Sequence, residues 1–108
     1  MAIADVTVIP VGTEGPSVSE YVADIHRILE KYSEKGVIRF QLTPMNTIIE
    51  GDLANLFEVI QEIHESPFSK GISRVATSIR IDDRRDKQST MEGKLKAVEA
   101  RLGTKGAL

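Results

Sequence analysis

The sequence contains no cysteine. That excludes a disulfide framework and any thiolate metal site, and it fits a reducing compartment. A basic excess is also missing: 14 Lys and Arg stand against 16 Asp and Glu, for a formal net charge of −2. A nucleic-acid surface normally shows the opposite balance, because it has to displace the counterions of a phosphate backbone. No apolar run approaches the ~18 residues of a membrane-spanning helix. Residues 1–11 are apolar around Asp5, but they carry no basic segment and are too short to span a bilayer. There is no internal repeat and no low-complexity block. These absences leave a soluble, cytoplasmic protein as the expectation, with no nucleic-acid or membrane partner. The 108 residues suit one domain that buries roughly 65% of the surface of its unfolded chain. Residues 1–102 read as that domain and 103–108 as a flexible tail.

What is present is periodic. Residues 2–11 are rich in Val and Ile and end near Pro10 and Gly12, as a strand does. Residues 12–16 form a loop by composition. Residues 17–34 are the clearest helix: Val18, Tyr21, Val22, Ile25, Ile28, Leu29 and Tyr32 recur at three- and four-residue steps. Ser17 and Glu20 have the spacing of a capping box, and Gly36 supplies a left-handed residue to end the helix. Residues 37–43 alternate, with Ile38, Phe40 and Leu42 facing one way and Arg39 and Gln41 the other. Pro44-Met45-Asn46 turns the chain into a second strand at 47–50, making a hairpin. Gly51-Asp52 breaks it, and Asp52 can cap a helix reaching Glu65 with the stripe Leu53, Leu56, Phe57, Ile60 and Ile63. Pro67 ends that helix. Residues 73–82 alternate again, with Val75, Thr77, Ile79 and Ile81 on one face. A third helix at 89–102 opens on a second capping box, Ser89 and Glu92, and carries a narrow seam of Met91, Leu95, Val98 and Leu102.

The order is βαββαβ plus a C-terminal helix. Right-handed crossovers then give an α+β, ferredoxin-like fold: a four-stranded antiparallel sheet with two helices on one face. The other face has no cover inside this core. The third helix either closes part of it or packs on a neighbour, and exposed Ile and Val there predict a dimer or tetramer formed through the sheet.

Five phrases stand in a recognisable order: Pro10-Val11-Gly12-Thr13; Ser17-Val18-Ser19-Glu20-Tyr21-Val22; Pro44-Met45-Asn46-Thr47-Ile48-Ile49-Glu50-Gly51; Gly71-Ile72-Ser73-Arg74-Val75; and Ile81-Asp82-Asp83-Arg84-Arg85-Asp86-Lys87. Their joint spacing over about residues 2–102 resembles the YkoF-like thiamine-binding protein family. One departure is Asn46, where the family often has glycine; asparagine also tolerates a left-handed backbone. The resemblance implies the ferredoxin-like fold, a tetramer built from dimers, and binding of thiamine or its hydroxymethylpyrimidine portion. It implies no catalysis and no required cofactor.

Such a ligand presents an aminopyrimidine edge, which wants a carboxylate, hydroxyl or backbone group, and a cationic thiazolium, which prefers an anionic or aromatic neighbour. Glu50 is the first candidate, since a carboxylate between Ile49 and Gly51 in a strand is costly unless paired. An ion pair with Arg39, Arg74 or Arg80 explains it equally well. Thr47 opens the same strand and either serves a ligand or simply favours a strand. Gly12 and Thr13 follow the first strand ahead of a helix, where backbone amides can approach a ligand, or where a plain turn lies. Ser19, one turn into the helix, completes the set of candidate ligand residues. Asp5 reads as pairing across subunits, with a ligand contact in the interface as the alternative, Tyr21 and Tyr32 as core, and His26 and His64 as solvated side chains without a metal motif. The run from Arg80 to Lys87 reads as a salt-bridged turn or an oligomer contact more than as a phosphate clamp.

RNA-binding domains of the same element order need aromatics on their central strands, and residues 2–11 and 47–50 have none. Acylphosphatases need an arginine after the first strand, which residues 12–16 lack. No Ser-His-Asp, Cys-His or metal constellation is apparent, so neither a catalytic nor a metal-ligating residue is assigned. The rival to ligand binding is an assembly or regulatory module with no dedicated thiamine ligand.

Overall fold

A computed structural model describes residues 1–13, 19–86 and 90–103. Ser17, Val18, Lys87, Ser89 and residues 104–108 lie outside them. The elements run β1 (Ala2–Val11), α1 (Ser19–Glu34), β2 (Ile38–Leu42), β3 (Thr47–Gly51), α2 (Leu53–Glu65), a 3₁₀ turn (Ser66–Lys70), β4 (Arg74–Asp83) and α3 (Met91–Leu102). The sheet has the order β2-β3-β1-β4 with every neighbouring pair antiparallel. This is an α+β architecture, and its strand order is compatible with the ferredoxin-like expectation.

Alternation sorts each strand onto two faces. Ala2, Ala4 and Val6 of β1 point toward the helices beside Ile38 of β2 and Ile49 of β3. Ile25 and Leu29 of α1 and Leu56, Val59, Ile60 and Ile63 of α2 close over them. Each fully buried Leu or Ile contributes roughly 1.5–3 kcal/mol. Small residues on the central strand let the helices approach closely. Gly51, the partner of Ala2, is crowded by the chain entering β2: a Cβ there would lie 3.0 Å from the Val37 carbonyl oxygen.

Two ties join the helices. The Tyr32 hydroxyl donates to Glu62 Oε2 at 2.5 Å. Lys70 reaches back from the 3₁₀ turn to Glu20 and Asp24 of α1, both at 2.7 Å.

Several expectations need correction. Phe57 is 51% exposed, and Val59 takes its place in the core. Asp52 occupies the N-cap position of α2 without a side-chain capping bond. The cap of α3 is Thr90, whose hydroxyl accepts from the Gly93 amide at 2.9 Å. The histidines are not simply solvated: each packs edge-on against a phenylalanine, His26 on Phe40 and His64 on Phe68. Among the described residues no non-glycine has a positive φ. Asn46 therefore closes its turn by side-chain bonding rather than by a left-handed backbone.

Candidate functional site

The strands differ in length, and that difference makes a hollow. β1 pairs with β4 along all ten residues but with β3 only from Ala2 to Val6. The β2–β3 turn, residues 43–46, closes level with Val6. Past that point the helix-side edge of β1 lies open toward the turn. Val22 and Ile25 of α1 and Ile63 of α2 roof the gap, leaving a cavity of about 190 Å³. Among the described residues its lining includes Val6, Val8, Val22, Thr43, Met45 and Thr47, and no charged side chain.

Thr43 and Asn46 build the polar corner of this cavity. The Thr43 hydroxyl donates to Asn46 Oδ1 at 2.6 Å and accepts from the Asn46 amide at 3.0 Å. The Thr43 amide donates to the Asn46 carbonyl at 2.9 Å. None of these bonds involves the side chain of Thr47, a residue that lines the cavity although it is only 8% exposed. Exposed apolar side chains stand at the mouth: Val22, Leu42 and Met45, the last 83% exposed.

The candidate residues do not all meet here. Thr47 is inside. Ser19 is exposed one helical turn before Val22, so it stands near the mouth. Gly12 has φ +84° and follows β1 directly. It lies six strand residues beyond Val6, the partner of Thr47, which is about 20 Å at ~3.4 Å per residue. Thr13, half-buried, follows it. Glu50 is on the opposite face of the sheet, because three residues separate it from Thr47 and strand side chains alternate.

At Glu50 the structural reading is filled. The residue is 3% exposed, Arg39 Nη1 lies 3.4 Å from Oε1, and Oε2 accepts from the Met91 amide at 2.9 Å. The Met91 amide opens α3, so the carboxylate also faces the positive end of the helix dipole. Arg39 bonds Glu92 at 2.6 Å. The carboxylates of Glu92 and, secondarily, Glu50 hold the Arg39 guanidinium above its ordinary pKa, and Arg39 in turn lowers that of Glu92. Asp5 is likewise paired, but within its own chain rather than across subunits: Arg80 stands directly across on β4 at 2.8 Å.

A broader depression of about 570 Å³ lies at the other end of the sheet, among Met1, Asp52, Asp83, Arg84 and Arg85. Its arginines are engaged by Asp86 and Asp83, as the expected salt-bridged turn requires, and it holds none of the candidate residues.

The cavity residues Thr43 and Met45 were not singled out from the sequence, although Met45 belongs to the Pro44–Gly51 phrase. The pairing of Met91 with Glu50 is long-range and has no sequence signature.

Among the described residues no helix is long and apolar enough to cross a membrane. Residues 4–99 match the model of a family described as thiamine-binding protein. UPF0045 protein YqgV of Bacillus subtilis is 66% identical over 102 residues, covering 94% of this chain and 98% of the relative. A UPF0045 protein of Staphylococcus xylosus is 64% identical over 106 residues, covering 98% and 99%. The crystal structure of protein MJ1052 of Methanocaldococcus jannaschii superposes with a TM-score of 0.78 at 37% identity, over 90% of this chain and 94% of that one. A Thermotoga maritima structure, provisionally described as a thiamine biosynthesis/salvage protein, shares the fold with a TM-score of 0.66 at 22% identity, over 90% and 97% of the two chains. The chain belongs to the thiamine-binding protein family.

Proposed function

We propose that this protein binds thiamine or its hydroxymethylpyrimidine portion without turning it over, as a self-associating cytoplasmic protein, and that the pyrimidine enters the cavity between α1 and the β2–β3 turn. The observation that carries the placement is Thr47, a nearly buried hydroxyl-bearing residue in the wall of a space lined mainly by apolar side chains. A hydroxyl there, outside the turn's own bonding, is a ready partner for one edge of a flat heteroaromatic ring. The size fits a fragment. About 190 Å³ falls below the ~300–1,000 Å³ of sites that enclose a drug-sized ligand, so one six-membered ring goes in and the charged second ring stays at the mouth. Leaving a cation in water avoids the cost of burying it among Val6, Val8 and Val22. Ser19 stands on the mouth side, and Gly12 and Thr13 lie farther out along the same end of β1. Glu50 belongs to this reading only if the ligand lies instead on the opposite face.

Isothermal titration with thiamine, hydroxymethylpyrimidine and thiamine diphosphate tests the reading. Thr47→Val should weaken binding about 3- to 10-fold, the loss of one neutral hydrogen bond of ~0.5–1.5 kcal/mol. Glu50→Gln should leave affinity unchanged. If Glu50→Gln abolishes binding and Thr47→Val does not, the ligand sits on the other face. No heat from any of the three, at protein concentrations well above micromolar, would overturn the binding reading and favour the assembly-module alternative.

A further inference from the structure

The first turn of α3 crosses the outer face of the sheet along a single row. Register places Arg39, Glu50, Ile3 and Asp82 side by side on β2, β3, β1 and β4. Glu92 of α3 bonds Arg39 at one end of that row, at 2.6 Å. The Met91 amide bonds Glu50 in its middle, and Lys94 bonds Asp82 at the far end, at 2.5 Å. Ile3 beneath them is reduced to 8% exposure, while no residue of α3 is itself buried. Leu95, Val98 and Leu102 remain exposed.

We infer that α3 is a strap held across this face by charge register rather than by apolar packing, and that it lifts off when those charges are screened. The sheet offers a base at the β2 edge and an acid at the β4 edge. The helix offers Glu92 and Lys94 in the complementary order, so reversing the helix would set like charges together. The middle contact adds a helix N-terminus to a carboxylate. All three contacts lie in the first turn. The outer pairs are about half-exposed on both partners, and such pairs weaken once the Debye length falls from ~20 Å to ~3 Å. A twelve-residue helix is marginal alone in water, so a lifted strap also frays. Lifting it bares Ile3 and returns Glu50 to solvent. The inference does not depend on thiamine binding, since the cavity lies on the other face.

Amide hydrogen exchange on the full chain tests it. Raising NaCl from about 20 mM to about 1 M should speed exchange at Met91, Gly93, Lys94 and Leu95 about 3- to 10-fold, with the amides of β1 and β3 unchanged. Lys94→Glu should do the same at low salt, and the double swap Asp82→Lys with Lys94→Glu should restore protection. These side chains are on the surface, so the swap leaves the buried Glu50 carboxylate and its partners in place. Exchange in α3 that ignores salt and the single swap, or a double swap that fails to restore protection, overturns the strap.

Discussion

Tyr32 shows how one side chain can serve two elements. Its ring packs at the edge of the core on α1, while its hydroxyl donates to Glu62 on α2. The hydrogen bond to Glu62, with lesser help from burial, pushes the phenol up to about 12. A folded-state value above the unfolded one means the unfolded chain loses this proton first. The contribution is therefore complete below pH ~10, the unfolded phenol's value, and is lost as pH rises from there through about 12. In a Tyr21→Phe variant the remaining phenol should titrate near 12 by ultraviolet absorbance; titration near 10 would refute the tie. The sequence placed Tyr32 in the apolar stripe, and that is where its ring lies. The partner thirty residues on was hidden because no local spacing relates them. Glu50 teaches the same lesson: the cost of a carboxylate between Ile49 and Gly51 was legible and the pair with Arg39 was among the readings, but the amide of Met91 depends on where α3 lands.

At the scale of elements, periodicity located the four strands and three α-helices of the described residues, missed the 3₁₀ turn Ser66–Lys70 and misjudged one edge of α2. The buried residues of α2 centre on the direction shared by Leu56, Val59, Ile60 and Ile63. At 3.6 residues per turn, Phe57 points about 110° away from that centre. Its size and its four-residue step from Leu53 suggested a core position, whereas Val59 is three residues from Leu56 and four from Ile63. Leu56→Ala should therefore cost ~2–5 kcal/mol in denaturant unfolding, and Phe57→Ala less than ~0.5 kcal/mol. Equal losses would mean that Phe57 is covered in the native protein. The caps show the complementary limit. Asp52 has the right residue type in the right place, yet its side chain makes no capping bond, since composition marks a boundary without fixing a rotamer.

For the whole molecule, the feature that matters most is the mismatch between ten-residue β1 and five-residue β3. Their unequal lengths were legible in the sequence. The cavity was not, because it arises only when register stops β3 at Val6 and α1 roofs the remainder. The same overhang bears on assembly. Beyond the row under α3, the outer face carries Ile9 and Val11, both exposed, opposite Ala76 and Arg74 of β4. Apolar side chains on a central strand are where a second copy would gain most from burial. Val11→Glu is the variant that tests such an interface. Within one chain the new carboxylate lies across from Arg74, a favourable cross-strand pair. Against a second copy it has to be buried at a cost of several kcal/mol. Sedimentation equilibrium should therefore find the parent chain as a dimer or tetramer and the variant as a folded monomer with unchanged circular dichroism. A parent that sediments as a monomer would remove the sheet face as an interface, and a variant that stays assembled would move the contact to the exposed seam of α3.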